Sequence, residues 1–291
     1  MPSYTPVDFD YHSPTSIEET IELLSSKEEP VILAGGQSLM TLLKLRILRP
    51  KNVIDIGKIP SLRNVVEEEG ELRIGATATH VTIASSPLIG SKCGLLSSSA
   101  KTVADVQVRN RGTIGGSVSL ADPSANYLPV LAALDATIVV QGPRGTRKIS
   151  SKDFFIDAYT TELAKDEVVK EVRIKYNKNM GYSFKKVVRR EQEYAVVNVA
   201  AVVSLDEDGR IREAKVGVGG LSGKPIKIRE LEETLVGKTA EAIESAVSSL
   251  DFKVRPISDV RATGDFRVYL ARIYLKRALK EAYANARGAM V

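Results

Sequence analysis

The chain is poor in cysteine and histidine. It has one cysteine, Cys93, and two histidines, His12 and His80. A single cysteine excludes an internal disulfide framework, an iron–sulfur cluster held by this chain alone and a cysteine-rich zinc site. Two imidazoles leave little for metal chemistry of any other kind, so if the chain serves an enzyme, an organic cofactor must carry most of the chemistry. No run approaches the ~18–20 apolar residues needed to span a bilayer. Met1–Ser13 lacks the apolar core of a secretion signal, which makes the cytoplasm the expected location. A basic stripe interleaved with aromatics is also missing, which argues against a nucleic-acid groove.

The 291 residues suffice for one large domain or two ordinary ones. Hydrophobic residues make up 43% and charged residues 26%, the balance of a folded globular protein rather than a disordered one. The net charge of +5 is spread along the chain and weakly favours anionic ligands.

Periodicity and punctuation predict a small α/β unit first. Ser16 with Glu19 has capping-box spacing and opens a helix with Ile21, Leu23 and Leu24 on its apolar face, stopped by Glu28-Glu29-Pro30. Val31–Leu33 reads as a short buried strand, Gly35-Gly36 as a turn, Ser38–Leu48 as a second helix ended by Pro50, and Val53–Ile56 as a strand. Then come a strand over Leu72–Ala76, helices over Thr79–Ser85 and Leu95–Val106, and a glycine-rich loop over Val108–Asp122. A helix over Tyr127–Leu134, a strand over Ala136–Val140, a turn at Gly142–Gly145 and a strand over Val168–Tyr176 follow. Asn177–Gly181 reads as a domain boundary. Beyond it, strands are expected at Tyr182–Arg190, Ala195–Leu205 and Ile211–Val218, with a hairpin at Asp206–Gly209. Helices over Ile228–Leu235, Ala240–Leu250 and Asp265–Asn285 close the chain. The last has Phe266, Tyr269, Leu270, Ile273, Leu275 and Leu279 as its apolar set. Strands followed by helices make this an α+β layout.

Two glycine pairs stand where a phosphate could be cradled. Leu33-Ala34-Gly35-Gly36-Gln37-Ser38 lies between a strand and a helix start, where inward N–H groups and a helix N-terminus suit a diphosphate. The same residues equally suit a plain strand-to-helix turn with Ser38 as its cap. Neither a G-x-G-x-x-G fingerprint nor a P-loop G-K-[ST] is present, so those two nucleotide classes lose their main support. Arg111–Ser117 carries the second pair, Gly115-Gly116, with Thr113 and Ser117 adding hydroxyls, and Ala121–Asn126 is a further polar run before a helix. Two such loops in successive α/β units can face one another and grip an extended ligand.

At these residues the sequence resembles the FAD-binding medium subunit of the molybdenum hydroxylases, the family of aerobic carbon monoxide dehydrogenase, archaeal aldehyde oxidoreductase and the flavin region of xanthine dehydrogenase. The matching segments are AGGQSL at Ala34–Leu39, KLRILRPKNVIDIGKIPSL at Lys44–Leu62 and IGATATH at Ile74–His80. They continue with VRNRGTIGGSVSLADPSANYLPVLAALDA at Val108–Ala136 and FKKVVRREQEYA at Phe184–Ala195, in order over nearly the whole chain. The resemblance implies a vanillyl-alcohol-oxidase-type (PCMH) FAD-binding fold. Two α/β subdomains, about 1–56 and 57–176, would form the FAD-binding domain, and 177–291 a C-terminal domain of antiparallel sheet with helices. FAD would lie in the cleft between them. Carried over by position, Leu33, Ala34, Gly35, Gly36, Gln37, Ser38, Leu39 and Met40 would wrap the diphosphate through backbone donors. Thr113, Ile114, Gly115, Gly116 and Ser117 would form the second flavin loop. Lys185 would contact the flavin, Val169 would pack near its ring, and Tyr194 would cover its edge. Gln37 stands where many relatives have His or Asn, Ser117 where Asn is common, and Asn126 where an Asp often contacts the flavin.

The resemblance further implies an electron-transfer role. A molybdopterin-binding large subunit would oxidise the substrate, an aldehyde, carbon monoxide or a related small molecule. A small subunit with two [2Fe–2S] clusters would relay electrons, and FAD on this chain would pass them to an external acceptor. The expected assembly is a dimer of heterotrimers. Arg189-Arg190 is a candidate for docking a partner or an anionic acceptor. The alternatives are a stand-alone flavin oxidase of the same fold, disfavoured by a C-terminal segment without histidine, and a cofactor-free scaffold, disfavoured by the intact glycines.

Overall fold

The computed structural model describes residues 6–176 and 180–288. The first unit comprises β1 (Asp10–His12), α1 (Ile17–Ser26), β2 (Pro30–Leu33), α2 (Leu39–Lys44) and β3 (Asn52–Asp55). Its three strands form a parallel sheet in the order β1-β3-β2. Ser16 caps α1 by accepting from the Glu19 N–H at 3.1 Å, and the Glu19 carboxylate answers by accepting from the Thr15 N–H at 2.8 Å. Three readings of this unit are corrected. Strand β1, too short to carry a pattern, was not anticipated. Strand β2 is half-buried along its length rather than buried, because it walls a cavity. Helix α2 stops at Lys44 instead of running to Leu48. The chain turns through Arg46 at φ +56°, and Leu45 and Ile47 stand 57% and 69% exposed.

A second set of elements is built around an antiparallel sheet. It contains β4 (Val65–Glu68), β5 (Glu71–Gly75), α3 (His80–Ser85), α4 (Pro87–Lys92), α5 (Gly94–Lys101), α6 (Val106–Arg111), α7 (Ile114–Leu120) and α8 (Tyr127–Ala133). Strands β6 (Thr137–Gly142) and β7 (Gly145–Ser150), helix α9 (Ser151–Phe154), strands β8 (Phe155–Asp157) and β9 (Thr160–Thr161), and β10 (Val168–Lys175) complete it. The sheet order is β4-β5-β10-β6-β7, with β8 and β9 paired separately. Its core gathers Leu72, Ile74, Ile114, Val118, Tyr127, Leu131, Val140 and Val172. A smaller cluster of Ile17, Ile21, Leu24, Ile54, Ile59, Leu62 and Val168 joins the first unit to this one.

The expected helix over Leu95–Val106 is broken. Helix α5 ends at Lys101, the chain bends through Ala104 at φ +36°, and α6 begins at Val106 with Asp105 as its N-cap. The expected loop over Val108–Asp122 is corrected more deeply, because most of it lies in α6 and α7. Gly115 and Gly116 occupy the first turn of α7. There Thr113 caps the helix, and burial of Ile114 and Val118 outweighs the poor helix propensity of glycine.

After 177–179, where most of the proposed boundary lies outside the described residues, come β11 (Gly181–Val187), β12 (Val197–Leu205), β13 (Ile211–Gly219) and β14 (Ile226–Lys227). They form an antiparallel sheet in that order, one strand more than expected. Helices α10 (Arg229–Leu235), α11 (Ala242–Ser248) and α12 (Gly264–Gly288) follow. Strand β12 is buried at every position. It therefore reads as a mostly apolar run, broken only by Asn198 and Ser204, rather than an alternating one. Helix α12 turns Ala271, Leu275, Ala278, Leu279, Ala282 and Ala286 inward. Phe266 and Tyr269, read as part of its apolar face, instead stack on each other in solvent, 50% and 59% exposed. The buried residue of that turn is Arg267. Its guanidinium donates to the carbonyls of Val196 at 2.5 Å and Gly220 at 2.7 Å, and to Asp259 at 2.6 Å. Among the described residues no helix is long and apolar enough to cross a membrane.

Arg267 satisfies two buried carbonyls and ends in an ion pair. We therefore expect Arg267→Met to lose on the order of 3 kcal/mol of unfolding free energy in urea melts. Arg277→Met, on the exposed face of the same helix, should stay within about 0.5 kcal/mol of the parent. Equal effects would show that the buried contacts of Arg267 do not hold the fold.

Candidate functional site

Strand β2 delivers the chain to Ala34, and Gly35 and Gly36 turn it into α2. Gly36 lies at φ +74°, a conformation that side chains resist. Gly35 is pressed against the junction of α6 and α7. A Cβ there would overlap the Arg111 carbonyl oxygen and stand 2.7 Å from the Gly112 Cα. Ser38 precedes α2 but makes no side-chain cap hydrogen bond, so the plain capping role is not the one it plays. The N–H groups of Gly36, Gln37, Ser38 and Leu39 find no hydrogen-bond acceptor among the described residues, and all four residues line a cavity. The Gln37 amide donates to the Gly35 carbonyl at 3.1 Å and stiffens the turn.

The second segment offers different groups. Ile114 and Gly115 donate their N–H groups to the Ala78 and Ala76 carbonyls at 3.1 and 2.8 Å. Gly116 donates to the Thr113 hydroxyl at 3.1 Å, and Ser117 to the Thr113 carbonyl at 3.0 Å. These donors are spent inside the protein. What the segment brings to the cavity is the Ser117 side chain and close backbone. A Cβ on Gly115 would stand 2.5 Å from that of Ala76, and one on Gly116 would stand 3.8 Å from that of Ala34, across from the first loop.

A third wall comes from the run 121–126. The Asn126 amide donates to the Ser99 carbonyl and the Thr102 hydroxyl, both at 2.9 Å. The C-terminal sheet holds this run in place: Gly220 N–H donates to the Pro123 carbonyl at 2.8 Å and the Asn198 amide to the Ala125 carbonyl at 3.2 Å. Strand β11 and the loop after it add Lys186 and Tyr194. Lys186 donates to the Thr102 carbonyl at 2.9 Å, and burial pulls its ammonium down to about 8. The Tyr194 ring is 41% exposed, with the Arg261 guanidinium 5.8 Å from its centre.

These walls enclose about 620 Å³, within the ~300–1,000 Å³ of small-molecule sites. Of the residues expected there, Ala34, Gly35, Gly36, Gln37, Ser38 and Leu39 line it. So do Thr113, Gly115, Gly116, Ser117, Asn126, Val169 and Tyr194. Leu33, Met40, Ile114 and Lys185 do not. Leu33 and Met40 crowd the side of Gly36 where a Cβ would point, and Ile114 is in the core. Lys185 projects from the opposite face of β11 and pairs with Glu281 of α12, while its neighbour Lys186 faces the cavity.

His80, Asp122 and Lys186 were missed. Asp122 lay in a run already marked as polar, and alternation along β11 was the signal for Lys186. His80 gave none. It is buried, its ring Nδ1 sits 2.9 Å from the Tyr127 hydroxyl, and its backbone N–H donates to the Gly112 carbonyl at 2.9 Å. Burial, with the charge of Arg109 behind it, lowers the imidazole to about 4. The side toward the first sheet is apolar, walled by Leu24, Pro30, Ile32, Leu48 and Ile56. Unused N–H donors, hydroxyls and a lysine at one part, with apolar walls at another, suit an extended ligand that carries both phosphate and planar rings.

Two family models match the sequence. The FAD binding domain in molybdopterin dehydrogenase covers residues 7–175, and the CO dehydrogenase flavoprotein C-terminal domain covers residues 182–282. The chain is 35% identical to the nicotine 6-hydroxylase medium subunit of Paenarthrobacter nicotinovorans, over 94% of this chain and 97% of that one. It is 34% identical to the glyceraldehyde dehydrogenase medium chain of Sulfolobus acidocaldarius, over 95% and 99%. A chain in the structure of carbon monoxide dehydrogenase from Hydrogenophaga pseudoflava shares the fold at a TM-score of 0.92 and 33% identity, over 96% and 99%.

Two outcomes follow from the packing. Gly35→Ala should cost on the order of 3 kcal/mol, since backbone must move to admit the methyl. Gly90→Ala, with nothing within 4 Å in α4, should be neutral or stabilising by up to about 1 kcal/mol. Chemical denaturation of both variants checks this, and equal effects would remove the close approach as a constraint. Because His80 titrates lower in the folded state than its ordinary 6.5, the unfolded chain binds the extra proton between about pH 6.5 and 4. Stability should therefore fall with pH through that window, by at most ~1.4 kcal/mol per unit from this group. His80→Gln should lack that component in urea melts at pH 7, 6 and 5; parallel slopes would refute it.

Proposed function

This chain belongs to the FAD-binding medium subunits of the molybdenum hydroxylases, and on that premise we propose that it is the electron-transfer flavoprotein of a three-subunit enzyme. The observation that carries the reading is the pair of loops at Ala34–Leu39 and Thr113–Ser117 brought face to face on one cavity. The residues fit FAD. The N–H groups of Gly36, Gln37, Ser38 and Leu39 are four unspent donors beside a helix start, where a diphosphate would be held. Ser117 would add a hydroxyl, Asn126 and Tyr194 would flank the flavin, and Val169 would pack against it. Lys186 replaces Lys185 as the cation on the cavity side. The apolar wall of Leu24, Ile32, Leu48 and Ile56 would take the part of the cofactor that carries no charge.

Bound FAD supplies a group that exchanges electrons singly or in pairs. The chain's own work is to bind and orient it and to keep its surroundings fixed between partners. One partner would be a small subunit with [2Fe–2S] clusters that delivers electrons. The other would be a molybdopterin-binding large subunit that oxidises an aldehyde, carbon monoxide or a related small substrate. The expected assembly is a dimer of such heterotrimers, in the cytoplasm. Within the chain we place the division between FAD-binding and C-terminal domains at residue 176, supported by a first family match that ends at 175 and a second that begins at 182.

Co-expression with the two partner subunits tests this. In the assembled complex, the oxidisable substrate should bleach the flavin absorption within the mixing time of a stopped-flow experiment. The FAD-loaded chain alone should stay oxidised with the same substrate. Direct bleaching of the isolated chain by small alcohols or aldehydes would instead favour a stand-alone flavin oxidase.

A further inference from the structure

Asp122 is a carboxylate in the cavity wall that, unlike the lining Glu167 and Glu193, is paired with no arginine among the described residues, and it is only 7% exposed. It is also fixed. Its Oδ1 accepts from the Ser124 N–H at 2.8 Å and its Oδ2 from the Tyr159 hydroxyl at 3.0 Å. The backbone around it is strained in two places that meet. Ala121 and Tyr159 both adopt left-handed conformations, at φ +52° and +54°, and the Tyr159 N–H donates to the Ala121 carbonyl at 3.1 Å. Neither is glycine. A strained pair that aims one hydroxyl at one buried carboxylate runs against folding stability, and such strain gathers at sites of function. From behind, Gly220 and Asn198 tie the same run to the C-terminal sheet, so the carboxylate cannot withdraw from the cavity.

We propose that Asp122 is a cofactor-orienting carboxylate that also lowers the reduction potential of the bound flavin, with Tyr159 as its positioning residue. The inference rests on the FAD reading above. An ionised carboxylate only accepts hydrogen bonds, and each oxygen has a lone pair beyond the one already used. It therefore addresses a ligand group that carries hydrogen, and FAD offers two kinds, the ribityl hydroxyls and the imide N–H of its ring. A fixed negative charge of low exposure also opposes any further negative charge placed in the cavity, so uptake of electrons there becomes less favourable. Tyr159 is itself 62% exposed, and its phenol is pushed up to about 12 by burial of its hydroxyl end and by Asp122, so it remains a donor. Arg261 faces Tyr194 and Lys186 is bound to the Thr102 carbonyl; of the other charged groups lining the cavity, Glu167 is paired with Arg147 and Glu193 with Arg189, and Lys165 is the remaining cation among the described residues.

The test uses the full chain loaded with FAD, read by spectroelectrochemical titration and by the FAD dissociation constant from fluorescence. Asp122→Asn keeps the shape and removes the charge. It should shift the reduction equilibrium at least tenfold toward the reduced flavin, about 30 mV for a two-electron couple, and weaken FAD binding severalfold. Tyr159→Phe removes one hydroxyl from a largely exposed residue and gives a second route should the Asn variant fold poorly. It should weaken FAD binding severalfold in the parent but add nothing to Asp122→Asn. A loaded Asn variant with unchanged potential and affinity, or two substitutions whose effects simply add, would overturn the proposal. A folded parent that takes up no FAD would instead overturn the reading beneath it.

Discussion

The contact of Gly35 with the backbone at Arg111 and Gly112 is what the rest of the site depends on. It brings a loop from the parallel sheet against the helix junction of the antiparallel sheet with no side chain between them. Backbone against backbone is the closest packing two segments can make, and it admits no methyl group. Once it is made, the other alignments follow from it. Gly112 offers its carbonyl to His80, which starts α3, and Gly115 lies on Ala76 at the end of β5. Gly116 then faces Ala34 across the cavity. The Ala34–Leu39 loop and the Thr113–Ser117 segment are positioned by this one backbone junction.

The C-terminal sheet holds the cavity wall in place as well as lending it Lys186 and, from the loop after β11, Tyr194. Gly220 and Asn198 hold the run from Asp122 to Asn126 by hydrogen bonds, and Lys186 reaches from β11 to the carbonyl of Thr102. Arg267 anchors the same ends of those strands, through the carbonyls of Val196 and Gly220. A chain of polar contacts thus runs from α12 to the cavity wall. Its buried members are satisfied at each step, apart from single atoms such as the Asn198 Oδ1 and the Arg267 Nε.

Much of this was legible in the residues. The Ser16–Glu19 spacing, the turn at Asp206–Gly209 and the strand periods of β5, β10 and β13 each reported a local preference that nothing overrode. The paired glycines and the family resemblance located both loops. What escaped the sequence was decided by neighbours. Glycines that read as a loop entered α7 because Ile114 and Val118 bury there and Thr113 caps the turn. Lys185 and Lys186 occupy opposite faces of β11; alternation separates the two, but only the packing of α12 against one face shows which of them meets the cavity. Phe266 and Tyr269 lost the inward face of α12 to Arg267, because the carbonyls of Val196 and Gly220 needed donors more than the core needed rings.

The central claim is that the chain alone assembles its cofactor cradle, through a glycine junction that needs no partner. The direct measurement is the visible absorption spectrum of the purified chain after incubation with FAD and gel filtration, followed by denaturation to count what is released. The account predicts one FAD per folded chain, carried through the column and freed on unfolding. A folded chain that emerges without flavin would contradict it and would assign completion of the cradle to the partner subunits.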